Sequence, residues 1–142
     1  MHAIVIYESF TGNTRKAAGL IGRQLTDAGV ATSVCSITKV DYQGLAGADL
    51  VIIGTWTDGL ILFGQRPGRA ARLRTMPTLA GKRAAVFCTY AVDQGKTLEK
   101  LTAIVEGRGA EVLGGLAIRR TSIESGVREF VDRLLTAVAT PS

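Results

Sequence analysis

Cysteine is scarce, at two residues in 142, and Cys35 and Cys88 stand too far apart for a C-x-x-C motif. No disulfide framework or thiolate metal site organises such a chain, and both thiols read as reduced core residues. No apolar stretch approaches the roughly 20 residues of a membrane-crossing helix; the run Leu50-Val51-Ile52-Ile53 is typical in stopping after a few positions. A strand-like run begins within two residues of Met1, with no basic segment or cleavage site, so a cytoplasmic protein without a secretory signal is expected. Internal repeats, low-complexity tracts and linkers are missing too, which leaves one domain over residues 1–142. Acid is missing in one place only. Residues 59–92 hold six cations (Arg66, Arg69, Arg72, Arg74, Lys82 and Arg83) and no Asp or Glu, so the net charge of +5 is a local excess. A hydrophobic content of 46% excludes intrinsic disorder.

What is present is a regular alternation. Residues 3–7 form a continuous β-branched run, the mark of a strand buried on both faces. Thr14 to Ala28 carries an apolar helical stripe closed by Gly29. Residues 31–37 and 48–54 read as the second and third strands, with a short helical turn at 41–46 between them. Residues 55–65 read as loop and 66–74 as a short helix. A fourth strand at 82–88, a helix from Thr97 to Arg108, a fifth strand at 111–118 and a helix from Ile123 to Ala139 complete the chain. Five strands alternating with helices predict an α/β fold, a five-stranded parallel sheet in a doubly wound three-layer sandwich. Ligands bind such sheets at the carboxyl ends of the strands. Function is therefore expected in the turns 8–14, 55–63 and 89–96.

The first turn is Glu8-Ser9-Phe10-Thr11-Gly12-Asn13-Thr14. A helix N-terminus offers unpaired backbone N–H groups and a partial positive charge, and so receives phosphate. Ser9, Thr11 and Thr14 add hydroxyl donors, and Gly12 permits close approach of the backbone. Neither G-x-x-x-x-G-K-[ST] nor G-x-G-x-x-G occurs. Hydroxyls and amides without lysine suit a small phosphate monoester and require no metal.

The run Ile4 to Ala18 (IVIYESFTGNTRKAA) resembles the flavodoxin signature, with Ser/Thr-x-Thr-Gly-x-Thr intact at 9–14 and the element order agreeing along nearly the whole chain. The absence of an insertion in the fifth strand makes it similar to the short-chain type. The resemblance implies strand order 2-1-3-4-5 and an FMN cofactor at the switch point between strands 1 and 3. It implies that Ser9, Phe10, Thr11, Gly12, Asn13 and Thr14 form the phosphate loop. The second turn, with Thr55, Trp56, Thr57, Asp58 and Gly59, would supply the aromatic that covers one flavin face. The third, with Thr89, Tyr90 and Asp93, would cover the other face and meet the polar edge of the ring. Two departures stand out. Thr57 follows the loop aromatic where many flavodoxins have glycine, and it would resist the positive φ that glycine tolerates. The acid-free segment 59–92 replaces an acidic surface, which would ease reduction of the flavin and favour an acidic docking partner.

The leading functional expectation is an FMN-binding electron carrier without catalytic side chains of its own. A small NAD(P)H-dependent flavin or quinone reductase is the alternative, with arginines 66–74 receiving a nicotinamide phosphate. A flavin-holding regulatory module docking through the basic segment is another. Nucleic-acid binding is disfavoured, because no aromatics interleave the arginines and no nucleic-acid motif occurs.

Overall fold

A computed structural model describes residues 1–58 and 65–139. In chain order the elements are β1 (His2–Tyr7), α1 (Asn13–Asp27), β2 (Ala31–Ser36), a single 3₁₀ turn (Ile37–Lys39), α2 (Tyr42–Ala46), β3 (Leu50–Asp58), β4 (Arg66–Pro67), α3 (Ala70–Leu73), β5 (Arg83–Tyr90), α4 (Thr97–Gly107), β6 (Glu111–Arg119) and α5 (Ile123–Ala139). The main strands lie in the order β2-β1-β3-β5-β6, all parallel. This is the expected five-strand arrangement, with one addition: β4 pairs antiparallel with the end of β3.

The continuous apolar runs are explained by alternation across a sheet covered on both sides. Ala3 and Val5 of β1, with Leu50 and Ile52 of β3, enter one core with α1 and α5; Phe87 of β5 meets Phe130 of α5 there, edge to face at 5.8 Å. Ile4 and Ile6, with Val51 and Ile53, enter the other, beneath Leu45 of α2, Leu73 of α3, and Leu101 and Val105 of α4. Most of these side chains are fully buried, each worth about 1.5–3 kcal/mol of transfer free energy. Three layers result, helix on sheet on helix.

Two expectations about the middle of the chain are corrected. Residues 55–58, expected as loop, continue β3 as a projecting arm, with Thr57 opposite Pro67 and Asp58 opposite Arg66. The β-branched and aromatic sequence Thr55-Trp56-Thr57 suits a strand, and Pro67, which has no N–H to give, is tolerated on the outer partner. The helix expected at 66–74 shrinks to Ala70–Leu73, because Arg66 and Pro67 are spent on that pairing. Thr57 therefore sits in extended backbone.

The parallel register brings the carboxyl ends of β1, β3 and β5 side by side: Tyr7 lies opposite Gly54, and Trp56 opposite Thr89. β1 has neighbours whose connections leave in opposite directions, so the crevice at this edge is where the strand order reverses.

Candidate functional site

The turn between β1 and α1 is built around Gly12, which takes the left-handed conformation (φ 95°) and caps the helix without a side-chain hydrogen bond. Only glycine takes that φ at no steric cost. Ser9 Oγ accepts from the N–H of Gly12 (3.2 Å) and, at longer range, of Arg15 (3.4 Å). Asn13 Nδ2 donates to Thr11 Oγ1 (3.2 Å). No described group accepts from the N–H of Asn13 or Thr14. The first turn of α1 carries no acid. Unfilled amides, exposed hydroxyls and a positive helix end fit a phosphate group.

Thr14 is placed differently from Ser9 and Thr11. It is buried, and its hydroxyl lies 2.8 Å from that of Thr89, itself buried at the end of β5. One proton bridges the two oxygens, so the pair retains a single hydroxyl hydrogen for a ligand. Two residues expected at the cofactor thus tie the first turn to the third.

Trp56 stands on the β3 arm, half-buried, with its ring held from several directions. The ring of Phe10, itself 70% exposed, lies 5.8 Å away and tilted by 32°. The guanidinium of Arg69 stands over the indole at 5.5 Å. Gly68 lies so close that a Cβ there would fall 2.1–2.5 Å from ring carbons. Its N–H donates to the Trp56 carbonyl (2.8 Å), and its carbonyl accepts from the fully buried Thr55 hydroxyl (2.9 Å). Thr55 therefore holds the hairpin closed with its side chain. Thr57 Oγ1 is buried without a satisfying hydrogen bond, and its presence beside the Cys88 thiol acts to lower that thiol. Burial pushes that thiol up to about 12. Asp58 pairs with Arg66 at 3.6 Å on the surface. Gly59 lies outside the described residues.

In the third turn Tyr90 closes β5, half-buried, with the guanidinium of Arg119 over its ring at 5.4 Å. Its carbonyl accepts from the N–H of Arg120 (2.8 Å). Asp93 Oδ1 accepts from the N–H of Gly95 (3.0 Å) and orders the turn. Gln65, buried, donates weakly to the Asp93 carbonyl (3.4 Å), and Lys100 Nζ donates to the Gln65 carbonyl (2.9 Å).

The sequence reading missed the role of Glu8. Its side chain is 3% exposed, with Arg69 Nη1 at 2.9 Å from Oε1 and Arg72 Nη1 at 3.0 Å from Oε2. A signal was present: position 8 continues the inward parity of Ile4 and Ile6, and an acid there requires cations facing it. The acid-free segment supplies them. Three of its six cations are thus paired with acids from elsewhere, Arg66 with Asp58 and Arg69 and Arg72 with Glu8.

Known proteins resemble this chain along nearly its whole length. The model of the flavodoxin domain matches residues 4–140. A flavodoxin of Clostridium beijerinckii is 25% identical over 109 residues, which are 77% of this chain and 79% of that protein. One of Nitratidesulfovibrio vulgaris is 37% identical over 60 residues, 40% of each chain. Among solved structures, oxidised flavodoxin 1 of Bacillus cereus superposes with a TM-score of 0.74 at 22% identity, each chain being covered completely. A cysteine-to-serine mutant of Pseudomonas aeruginosa flavodoxin gives 0.76 at 16% identity, over 99% of this chain and 100% of that one. With the family model spanning nearly every residue, the chain belongs to the flavodoxin domain family, whose cofactor is FMN.

Proposed function

We propose that this protein binds FMN and carries electrons between protein partners. The observation that carries the reading is the β1–α1 turn: unfilled amides at Asn13 and Thr14, the hydroxyls of Ser9 and Thr11, and a single aromatic arm bearing Trp56 next to it. When bound, FMN supplies the redox chemistry. The chain's own groups hold the phosphate at 9–14, shield the ring with Trp56 and Tyr90, and meet its polar edge with the backbone of 89–94. Gly59 belongs to the same proposed set.

The carrier reading is favoured over a nicotinamide-dependent reductase by the fate of the arginines. Of the four expected to receive a nicotinamide phosphate, Arg66, Arg69 and Arg72 are engaged by carboxylates and Arg74 alone makes no ion pair among the described residues. Docking cations are better supported elsewhere. Lys16 of α1 and Arg120 and Arg128 beside the start of α5 line a concavity of about 430 Å³ together with one acid, Glu124, and none of the three cations makes an ion pair among the described residues. An acidic partner face complements them. No described helix is long and apolar enough to cross a membrane, and we place the protein in the cytoplasm.

The test is a visible spectrum of purified protein loaded with FMN, followed by anaerobic NADPH. Bound flavin that NADPH leaves oxidised, but that an electron-donating protein reduces, supports a carrier. Rapid reduction by NADPH alone would make the protein a reductase.

A further inference from the structure

We infer that Glu8, Arg69 and Arg72 form a latch that positions Trp56 against the flavin ring, setting affinity for the ring separately from affinity for the phosphate. The inference rests on the FMN reading above and gives a role to three residues that reading left out.

The latch begins with a carboxylate that the fold has taken out of water, Glu8 being 2% exposed. Left alone, such a group would be strongly unfavourable; met by two guanidinium groups it is satisfied. Both arginines come from the segment that follows the β3 arm, so the pairing fastens that segment to the first residue of the phosphate turn. The Glu8 N–H also donates to the Gly54 carbonyl (2.9 Å), joining the same point to β3.

Arg69 carries the constraint onward. It has φ 49°, the only positive φ at a non-glycine position among the described residues. Strained backbone persists where the surroundings over-determine it. Here Glu8 grips the guanidinium at 2.9 Å, while the guanidinium carbon lies over the Trp56 ring, 5.5 Å from its centroid, and Gly68 packs on that indole from the preceding position. The circuit closes through Phe10, whose ring meets Trp56 two residues after Glu8. One acid thereby sets where the indole stands relative to the phosphate turn. Because two cations meet it, that acid brings no net negative charge to the turn. Glu8 acts through Arg69 and is a positioning residue.

Riboflavin, which has the ring and no phosphate, is the probe. In Glu8→Gln the dissociation constant for riboflavin should rise about fivefold, the scale of a lost cation–aromatic arrangement. The indole emission of the flavin-free protein should shift to the red as Trp56 meets more water. Arg69→Gln, which leaves Arg72 on Glu8, should do the same and serves if the first variant folds poorly. In a Trp56→Ala background neither substitution should alter riboflavin affinity. Lowered stability with unchanged riboflavin affinity and unchanged emission would overturn the inference, making the cluster a staple only. A fivefold loss that persists in the Trp56→Ala background would also overturn it. If the unsubstituted protein bound neither FMN nor riboflavin, the FMN reading would fail, while the indole emission would still decide the latch.

Discussion

At the scale of single residues, the hydroxyls of the proposed phosphate turn stand in different surroundings. Thr11 is exposed and held only by Asn13, whereas Thr14 is buried against Thr89. Thr11→Ala should therefore weaken FMN by about 1–3 kcal/mol, the scale of a hydrogen bond to a charged group, and leave riboflavin unchanged. Thr14→Ala should lower folding stability as well, read by denaturant titration, because it strands the Thr89 hydroxyl. The thiols give a second residue-scale prediction. Cys88 is fully buried and its thiol is pushed up to about 12; burial also raises Cys35, which is only half-buried. Thiolate is the reactive form. In native protein at pH 8, iodoacetamide should alkylate Cys35 slowly and Cys88 not at all until denaturant is added, as mass spectrometry would show. The same shift has a sign for stability. An unfolded thiol ionises near 9 while the folded one keeps its proton to about 12, so the contribution of Cys88 is intact below pH 9 and lost as pH rises toward 12. Cys88→Ala should flatten that alkaline decline.

At the scale of elements, the five main strands and the long helices were legible because their signals are local: β-branched runs and stripes at helical spacing. The β3–β4 hairpin was not legible. Its partner strand is two residues long and contains a proline, so neither length nor propensity marks it as a strand. Pairing, not propensity, makes residues 55–58 a strand, and pairing is visible only once both partners are placed. The candidate site was read in the same uneven way. Gly12, Ser9, Thr11 and Trp56 announced themselves by type and position, whereas Glu8 became visible only when its two arginines were brought to it. The hairpin itself can be tested at Gly68. A methyl there would meet the Trp56 ring at 2.1–2.5 Å, so the ring or the hairpin must move. Gly68→Ala should destabilise the fold by about 1–3 kcal/mol, the cost of overpacking, and alter the near-ultraviolet circular dichroism of the indole.

At the scale of the whole molecule, the charge is distributed otherwise than composition suggests. The acid-free segment is partly neutralised by Glu8 and Asp58, so its pull on the potential of a bound flavin is smaller than six cations imply. Three of the cations without ion pairs among the described residues, Lys16, Arg120 and Arg128, share one concavity beside the amino ends of α1 and α5, where they outnumber its one acid, Glu124. Hexacyanoferrate(III), a small anionic oxidant, should therefore oxidise the reduced, FMN-loaded protein more slowly as salt rises. In the double variant Lys16→Glu, Arg128→Glu that salt dependence should flatten; an unaltered slope would place the positive face elsewhere. The central claim is that a phosphate-holding turn and an indole-bearing arm converge on one FMN. The most direct measurement is a titration of the flavin-free protein with FMN and with riboflavin, followed by emission of the single tryptophan. Quenching by both, with FMN bound about tenfold or more tightly, is the expected result. Equal affinity for the two flavins, or an indole whose emission is indifferent to saturating FMN, would contradict it.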